Sequence, residues 1–522
     1  MLRIAGSLMS GGLLAATFPG IAQPTLAFVA LVPLLFSLRG TSWKEACGLA
    51  WLSGFLFFCI TLSWFMQMRH TVDEPLFVFA ILIGYLVLAA YCALYFIPFG
   101  WMANMLCVGV VQHRWHRQIV QMGVLTAVWV AAEYLRGHLL TGFGWNSLGV
   151  SQYQNAPLIQ IAAWGGVPIV SALIVWMNVA VYLTFSRYLP FKRLEQARPH
   201  VELMVGVLPL ALAIAFGMQQ IFAQEPASTS HRVALVQPNI SQTDRRGDAN
   251  RVEIRKRLEE LSQAALRAGE IDILVWPETA LPDLIQTSPE SRQLIRSVLA
   301  HQTPLLMGAV EYQRQESEYA IFNAALYFDA DLQPSEVYYK RHLVPFGEYV
   351  PLPQVFGFLS PLDSAFAPGE QPVVISLHQE SVFAPLICFE DTVASVTAAS
   401  VRAGAQWLIN LTNDAWFDPS AQSEQHLAHA VFRCVEHGVP MVRCCNTGVS
   451  ACIDRFGRIH RRLASEKSGF LIADVELHES LPTFYTEWGD LFANVGLVGT
   501  LCSAGIIWKR RRSIGQEGDA DA

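Results

Sequence analysis

Long apolar runs are the feature that most constrains how this chain can fold. Apolar residues make up 52% of the sequence and charged residues only 15%, whereas soluble domains carry roughly 25% charged residues. Crossing a bilayer as a helix takes about 20 consecutive apolar residues. Runs that predict such spans lie at about 4–19, 22–38, 46–66, 75–105, 119–137, 158–184, 201–222 and 489–508.

The first two runs are short and are broken by Pro19, Pro24 and Pro33, which predicts a tight helical hairpin. We therefore predict three domains along the chain: a membrane domain with seven transmembrane helices at 1–222, a globular domain at 223–487, and an eighth transmembrane helix with a basic tail at 488–522. The net charge of -7 is mild and favours no nucleic-acid partner.

Lysine and arginine are shared unequally between the two predicted sides of the membrane. One side's short loops hold only Arg69 and Arg136. Because basic residues are enriched in cytoplasmic loops, the other side is predicted to be the cytoplasm, with both termini there. The globular domain is then extracytoplasmic, and periplasmic in the inner membrane of a bacterium with two membranes. The predicted cytoplasmic side carries Arg3, Arg39, Lys44, Arg114, Arg117, Arg187, Lys192, Arg193, Arg198 and Lys509–Arg512.

The region 223–487 has ordinary globular composition, with strand-like runs alternating with helical ones. Such alternation predicts an α/β domain whose sheets are covered by helices, and its hairpin-like pairs predict mixed rather than purely parallel sheets. Helices are predicted at 249–268, 288–301 and 421–437. Strands are predicted at 232–238, 271–276, 303–312, 320–329, 335–339, 372–378, 381–387, 405–411 and 439–455.

Cys388 stands where a predicted buried strand ends and a helix is expected to begin. A thiol at such a turn can be reached by substrate, and backbone N–H groups there can lower its pKa and stabilise an oxyanion. Taken alone, a buried core cysteine is the more common outcome. The other cysteines of the globular part, Cys434, Cys444, Cys445 and Cys452, are interpreted as structural; Cys444 and Cys445 are adjacent in a strand and point to opposite faces.

Two further reactive side chains directly follow strand-like runs. Glu278 follows Trp276 and Pro277, where desolvation would raise its pKa into the range of a usable base. Lys340 follows a run of aromatic residues, and a lysine fixed there can stabilise the negative oxygen of a tetrahedral intermediate. Each residue also has a more ordinary interpretation: Glu278 could be a surface carboxylate, and Lys340 could be a solvated lysine.

Three motifs together carry a resemblance. They are Trp-Pro-Glu-Thr at 276–279, Tyr-Lys-Arg-His-Leu-Val-Pro-Phe-Gly-Glu at 339–348, and Ile-Cys-Phe-Glu at 387–390. In this order they resemble the Glu–Lys–Cys motif set of the nitrilase (carbon-nitrogen hydrolase) superfamily. With seven spans before the domain and one after it, the chain resembles the apolipoprotein N-acyltransferase family in particular. The resemblance covers essentially the whole sequence.

The resemblance implies a nitrilase-like αββα sandwich and a role for each motif residue. It implies that Glu278 is the general base, that Lys340 binds the oxyanion and that Cys388 is the nucleophile. Glu348 would support the site, and Glu390 is implied to be functionally important.

Aromatic residues near these motifs are candidate walls of an acyl-chain site. Phe389 stands where many members of the family carry tyrosine, and an apolar ring suits an acyl chain. Its backbone N–H is a candidate second oxyanion donor. Phe346, Tyr349, Trp416 and Phe417 would help to exclude water, which competes for the acyl group.

The reaction implied is a two-step transfer through a thioester. A phospholipid would donate its sn-1 acyl chain to Cys388, and the N-terminal diacylglyceryl-cysteine of an apolipoprotein would accept it. Because a thioester is converted downhill to an amide, no metal or other cofactor is expected. The resemblance suggests a monomer.

Two alternatives use the same sequence differently. A membrane-tethered nitrilase-like amidase could hydrolyse a small amide with the same three residues, although the long membrane domain favours lipid substrates. A non-catalytic transport or scaffold protein is disfavoured because Glu278, Lys340 and Cys388 all have the residue types that the chemistry requires.

Overall fold

The computed structural model describes most of the chain as two compact units. One unit comprises Met1–Met66, Pro75–Phe222 and Trp488–Ala522, and the other comprises Gln67–Glu74 and Ala223–Glu487. Arg114, Arg187, Lys192, Arg193 and Arg198, which contribute to the predicted orientation, lie outside the described residues. The described residues are 1–71, 75–107, 115–186, 200–223, 226–243, 248–315, 318–329, 331–351, 354, 365–479 and 482–520.

The first unit is helical. Within the described residues, six helical stretches are long and apolar enough to cross a membrane: Trp43–Thr61, Pro75–Leu106, Trp115–Thr141, Ala162–Ser186, Val201–Phe222 and Leu491–Lys509. Its α-helices are α1 (Leu2–Ala16), α2 (Val32–Ser37), α3 (Trp43–Thr61), α4 (Pro75–Leu94), α5 (Ile97–Cys107), α6 (Trp115–His138), α7 (Ala156–Ile159), α8 (Ala162–Ser186) and α9 (Val201–Phe222), with the C-terminal helix Leu491–Ala520.

The predicted hairpin at the N-terminus is formed by two shorter apolar helices, Leu2–Ala16 and Pro24–Ser37. Ser10 links the two helical stretches by hydrogen bonds. Its hydroxyl donates to the carbonyl of Ala30 and accepts from the backbone N–H of Leu34 at 3.0 Å. These helices are shorter than the roughly 20 residues that usually cross a bilayer. The first ends at Ala16, ahead of Pro19, and the second is interrupted between Phe28 and Val32, ahead of Pro33.

Glu133 and Arg136, one turn apart on α6, both bind the segment that follows that helix. Glu133 Oε1 accepts from the backbone N–H of Leu148 at 2.7 Å. Arg136 Nη1 donates to the carbonyls of Phe143 at 2.7 Å and Trp145 at 2.6 Å. These contacts give Glu133 and Arg136 a structural role in fixing residues 143–148.

The second unit contains two six-stranded sheets. The first has the order β12-β1-β2-β3-β4-β5 and the second β11-β10-β9-β8-β7-β6. Both mix parallel and antiparallel pairs, as predicted. The strands are β1 (Thr229–Gln237), β2 (Ile273–Trp276), β3 (Leu305–Gln315), β4 (Glu318–Phe328), β5 (Glu336–Tyr339), β6 (Ile375–Leu377), β7 (Ser381–Ile387), β8 (Trp407–Thr412), β9 (Met441–Cys445), β10 (Ser450–Ile453), β11 (Ile459–Leu463) and β12 (Gly469–Leu477).

Side-chain alternation along the strands builds the four layers. In β1, Val233 and Leu235 enter a core that joins the two sheets, whereas Ala234 and Val236 enter a separate core beneath helices. That second core is shared with α10 (Asp248–Arg267) and α11 (Pro289–Leu299). On the second sheet lie α12 (Ala394–Arg402) and α13 (Gln422–His437), and every residue of α13 except Glu424 is buried. The αββα sandwich implied by the resemblance is therefore confirmed.

Two strands at the end of the domain were not predicted, and one predicted strand is divided. The run 439–455 forms β9 and β10, joined by a turn with Gly448 at φ 92°. The last strand, β12, pairs antiparallel with the first, β1, over its whole length from Thr229 opposite Leu477. The chain thus leaves this unit beside the strand by which it begins.

Candidate active site

Three strand ends bring the predicted reactive residues together. Glu278 follows β2, Lys340 follows β5 and Cys388 follows β7. The first two strands belong to one sheet and the third belongs to the other. The thiol of Cys388 donates to Glu278, and Lys340 Nζ lies 3.7 Å from Glu278 Oε1. The site therefore forms where the two sheets of the sandwich meet.

Cys388 occupies a sharp turn. Its φ is 51°, in the left-handed region, at the start of a single-turn helix Cys388–Thr392. The Asn413 backbone N–H donates to its sulfur. Burial, and then the neighbouring Glu278, nevertheless raise the pKa of the Cys388 thiol well above its usual value. The Asn413 N–H does act to lower the pKa of the thiol, as expected, but desolvation and the Glu278 carboxylate outweigh it, so the net shift is upward.

Glu278 is held by a glycine and an asparagine of the adjoining strands. A Cβ at Gly308 would lie 2.5 Å from the Glu278 Cα, so β3 can approach this turn only with glycine. Asn323 Nδ2, on β4, donates to Glu278 Oε1 at 2.8 Å. Burial raises the pKa of Glu278, as predicted, against the attraction of Lys340. Trp276 is not the cause, since its ring lies in the core beneath the helices and donates to Ser262.

Lys340 is buried between two carboxylates. Its Nζ donates to Glu348 Oε1 at 2.9 Å, closer than its 3.7 Å approach to Glu278. Asn323 Nδ2 also donates to Glu348 Oε1, at 2.9 Å, and the Val344 backbone N–H binds the other oxygen at 2.7 Å. Burial disfavours charge on Lys340, but Glu348 and Glu278 outweigh it and raise its pKa.

Glu278, Lys340 and Glu348 form a set that we name the thiol cluster. With all three ionised, its net charge is -1. Glu348 accepts hydrogen bonds from Lys340, Asn323 and Val344. Burial opposes the charge on Glu348, but Lys340 outweighs burial and lowers the pKa of Glu348. The excess negative charge therefore falls on Glu278, which is the group best able to accept a proton. A protonated thiol beside a carboxylate of raised pKa is the arrangement that general-base activation of a nucleophile requires.

Glu390 does not face the thiol; it binds backbone. Its carboxylate accepts from the backbone N–H groups of Arg341 at 2.7 Å, His342 at 3.1 Å and Ile387 at 2.8 Å. It also accepts from the Tyr338 hydroxyl at 2.8 Å. Glu390 thus joins the segment that carries Lys340 to the one that carries Cys388, which gives it a supporting position.

The candidate wall residues are distributed around these segments. The Phe389 ring stacks on His342 with centroids 5.9 Å apart. Phe346 and Trp416 are among the exposed large apolar side chains, whereas Tyr349 and Phe417 are half-buried. Exposed aromatic rings on the segments around a half-buried thiol suit an apolar ligand.

A second buried group of charges, which the sequence did not reveal, lies on the helix side of the second sheet. We name Asp391, Asp414, His426 and Arg443 the elbow cluster. Arg443 and Asn410 both donate to Asp391 Oδ2. His426 Nε2 lies 2.8 Å from Asp391 Oδ1, and its Nδ1 lies 3.0 Å from Asp414 Oδ1. The cluster thus ties the turn after Cys388 to the segment after β8.

The remaining cysteines of this unit are buried and free. Cys444 Sγ donates to the carbonyls of Val236 and Val275, both at 3.3 Å, and Cys445 Sγ donates to Val449 on the other face of the strand. Their opposite orientation is as predicted. Within the described part of the chain, no group of three or more His, Cys, Asp or Glu residues forms a candidate metal site.

Comparison with known proteins relates both units to established families. Residues 10–180 match the apolipoprotein N-acyltransferase N-terminal domain, and residues 232–482 match the carbon-nitrogen hydrolase domain. An apolipoprotein N-acyltransferase of Geobacter metallireducens is 32% identical over 511 residues, covering 97% of this chain and 95% of that protein. One from Chlorobaculum tepidum is 30% identical over 542 residues, covering 96% of each. A solved amidase from Nesterenkonia is 18% identical with a TM-score of 0.38, covering 52% of this chain and 97% of its own.

Proposed function

Because the chain belongs to the apolipoprotein N-acyltransferase family, we propose that it moves a fatty acyl chain from a phospholipid to an apolipoprotein. The acceptor is the α-amino group of the N-terminal diacylglyceryl-cysteine. The observation that carries this proposal is the hydrogen bond from the Cys388 thiol to Glu278, with Lys340 3.7 Å from the same carboxylate.

In the first half-reaction Glu278 takes the thiol proton as the Cys388 sulfur attacks the sn-1 ester carbonyl. Lys340 and the backbone N–H of Phe389 stabilise the oxyanion of the tetrahedral intermediate. As the intermediate collapses, Glu278 returns the proton to the departing lysophospholipid oxygen, and a thioester remains on Cys388. Since the pKa of Glu278 is raised by burial, it can serve as base and then as acid near neutral pH.

In the second half-reaction the α-amino group of the acceptor attacks the thioester. Glu278 removes a proton from the nitrogen, the C–S bond breaks, and the proton passes to the Cys388 sulfur. The product is an amide, so the transfer runs downhill from the thioester. Phe346, Tyr349, Phe389, Trp416 and Phe417 line the path of the acyl chain and keep water from the thioester.

The supporting residues act through the three reacting groups. Glu348 holds the Lys340 ammonium by a 2.9 Å bond, and Glu390 holds the turns on which Lys340 and Cys388 stand. We assign no cofactor to the reaction and infer that the enzyme acts as a monomer.

The protein is a bacterial inner-membrane protein with a carbon-nitrogen hydrolase domain of the nitrilase type. We further propose that 1–222 supplies seven transmembrane helices, the two short helices of the N-terminal hairpin included, and that 488–522 supplies an eighth with its cytoplasmic tail. In this arrangement both termini are cytoplasmic, and 223–487 faces the periplasm.

Mass spectrometry of the intact protein tests the first half-reaction. Wild-type enzyme and Cys388→Ala are incubated with phospholipid alone, with Cys502→Ala as the control for an exposed cysteine outside the site. We expect a fatty-acyl increment on wild type and Cys502→Ala that hydroxylamine removes, and none on Cys388→Ala. Active wild-type enzyme that gains no increment, or Cys388→Ala with full activity, contradicts the proposal; small amides are then the next substrates to assay.

A further inference from the structure

His426 is a buried histidine with a carboxylate at each ring nitrogen. It lies on α13 and is 1% exposed. Nε2 is 2.8 Å from Asp391 and Nδ1 is 3.0 Å from Asp414. The two carboxylates come from different segments: Asp391 stands three residues after Cys388, and Asp414 directly follows Asn413.

The short approach of a carboxylate to each ring nitrogen favours the doubly protonated ring. A neutral imidazole has one N–H and one lone pair, and the lone pair would face a carboxylate oxygen across about 3 Å. Charge balance agrees, because Asp391, Asp414 and Arg443 alone leave a net charge of -1 in a region without solvent. Burial lowers the pKa of His426, but Asp391 and Asp414 outweigh it and raise that pKa to about 9.

The segment held through Asp414 touches the reactive sulfur. Asn413 donates its backbone N–H to Cys388 Sγ, which opposes the rise of the thiol pKa. The adjoining side chain of Asp414 also accepts from Gln422 Nε2 at 3.1 Å, and Gln422 begins α13. The position of the Asn413 N–H therefore depends on what anchors Asp414 to the helix.

We propose that His426 is a positioning residue: by bridging Asp391 and Asp414 it holds the Asn413 N–H against the sulfur of Cys388 and so sets the reactivity of that thiol. The inference rests on the proposed function only in taking Cys388 as the nucleophile. His426 touches neither substrate nor the reacting atoms, and it acts through two neighbouring segments.

Several charged or titratable groups face this arrangement. Asp391 faces His426 from the turn after β7, Asp414 from the segment after β8 and Arg443 from β9. On α13 itself, His429 acts on Asp391. Asp418 lies near Asp414, and the Cys388 thiol is influenced by both Asp414 and Glu278.

Alkylation of Cys388 by iodoacetamide tests the proposal without any lipid. The rate is measured on the full-length protein in detergent from pH 6.5 to 10, by mass spectrometry of the Cys388 peptide. We expect His426→Gln to react about tenfold more slowly at pH 8, with the alkylation profile moved about one pH unit upward, because loss of a charge-assisted contact weakens the Asn413 bond to the thiolate.

His437→Gln is the matched control. His437 is also buried on α13, but its Nδ1 contacts Thr486 at 2.9 Å, away from the site. Its alkylation profile should match wild type. A His426→Gln profile that coincides with wild type overturns the proposal while leaving the proposed function intact. Acyl transfer by Cys388→Ala, in contrast, refutes the proposed function whatever His426→Gln does.

Wild-type protein gives a second test should His426→Gln fail to accumulate in folded form. Hydrogen exchange of residues 411–417 is compared at pH 7.5 and pH 9.5 after correction for intrinsic rates. Deprotonation of His426 should release Asp414 and speed exchange there about fivefold, with no change in 439–445. Equal protection of 411–417 at both pH values overturns the proposal.

Discussion

The thiol cluster and the elbow cluster are both buried groups of charges beside Cys388, yet their charge balance differs. The thiol cluster sets two carboxylates against one lysine, which leaves an excess negative charge on Glu278. The elbow cluster sets two carboxylates against an arginine and an imidazolium, so it is neutral. Burial raises the pKa of Glu278, whereas in Asp391 the nearby Arg443 and His426 overcome burial and lower the pKa.

The difference shows that burial alone does not make a charged group reactive. Where every charge has a partner, the group is locked in one protonation state and serves to hold backbone segments. Where one partner is missing, the unbalanced group exchanges its proton readily. The same change, carboxylate to amide, should therefore have opposite effects on stability in the two clusters.

The largest expected effect is that of Glu278→Gln. Loss of the base should slow thioester formation about 10³-fold, the usual range for a positioned general base. Glu311→Gln, a half-buried carboxyl on β3, is the control and should retain the wild-type rate. The rate is followed by intact mass after mixing with phospholipid; a Glu278→Gln enzyme within tenfold of wild type would exclude Glu278 as the base.

The same variant should be more stable than wild type at neutral pH. The folded-state pKa of Glu278 is raised above 4.5, so its stabilising contribution is complete below that pH and is lost as pH rises through the folded-state value. Glutamine removes this penalty. Thermal unfolding from pH 4 to pH 8 should show the gain only at the upper end, and a uniform loss of stability would contradict the charge balance assigned to the thiol cluster.

Lys340→Met should cost about 10²-fold in rate, comparable to loss of one oxyanion donor. It also leaves Glu278 and Glu348 buried without a cation, so the unfolding midpoint should fall. Lys256→Met, at an exposed lysine with Glu260 3.8 Å away, is the matched control and should change neither property. A Lys340→Met enzyme with wild-type rates would remove the lysine from the proposed mechanism.

Asp391→Asn should act on stability, in the direction opposite to Glu278→Gln. Removing the Asp391 charge leaves the charges of Arg443 and His426 partly uncompensated. Because breaking a buried ion pair is strongly destabilising, we expect the free energy of unfolding to fall by roughly 3 kcal/mol. In wild type, the pKa of Asp391 is lower in the folded than in the unfolded protein. The stability that this difference contributes is therefore present above pH 3.8 and is lost as the pH falls through the folded-state pKa. Thermal unfolding at pH 7 measures this loss of stability. An unfolding midpoint equal to or above that of wild type would contradict the predicted difference between the two clusters.

The smallest expected effect is that of Tyr338→Phe. It removes one donor from Glu390, which keeps three backbone N–H partners, so we expect a loss of about 1 kcal/mol and nearly unchanged activity. Glu390→Ala, which removes the acceptor of all four bonds, should lose distinctly more. If the two variants unfold at the same temperature, Glu390 does not join the two turns as the contacts imply.

The sequence predicted most of the fold because apolar periodicity is a local signal. The predicted hairpin of 303–312 with 320–329 matches β3 and β4, which pair from Leu305 opposite Phe328. In contrast, β11 reads Ile-His-Arg-Arg-Leu, with three exposed polar residues, and is recognisable only once it pairs with β10. β12 pairs with β1, which lies more than 200 residues earlier in the chain, and the local sequence of β12 does not identify that partner.

The candidate site divides in the same way. Glu278, Lys340 and Cys388 follow apolar strands, where polar residues at strand ends mark a site in α/β proteins. The elbow cluster was missed although it left a signal: Arg443 interrupts an apolar strand, as Asn323 does in β4. A polar side chain in a buried strand must find a buried partner, but the sequence alone does not say which one.

The pairing of β1 with β12 has a consequence for how such a protein can arise and be engineered. Ser228 donates its backbone N–H to the carbonyl of Leu477 at 2.8 Å, so the two ends of the α/β unit are in contact. A domain whose two ends are in contact can be inserted into a loop of another protein without distorting either protein. We therefore expect residues 223–487 to be transferable as one segment, inserted at a single loop of another membrane protein.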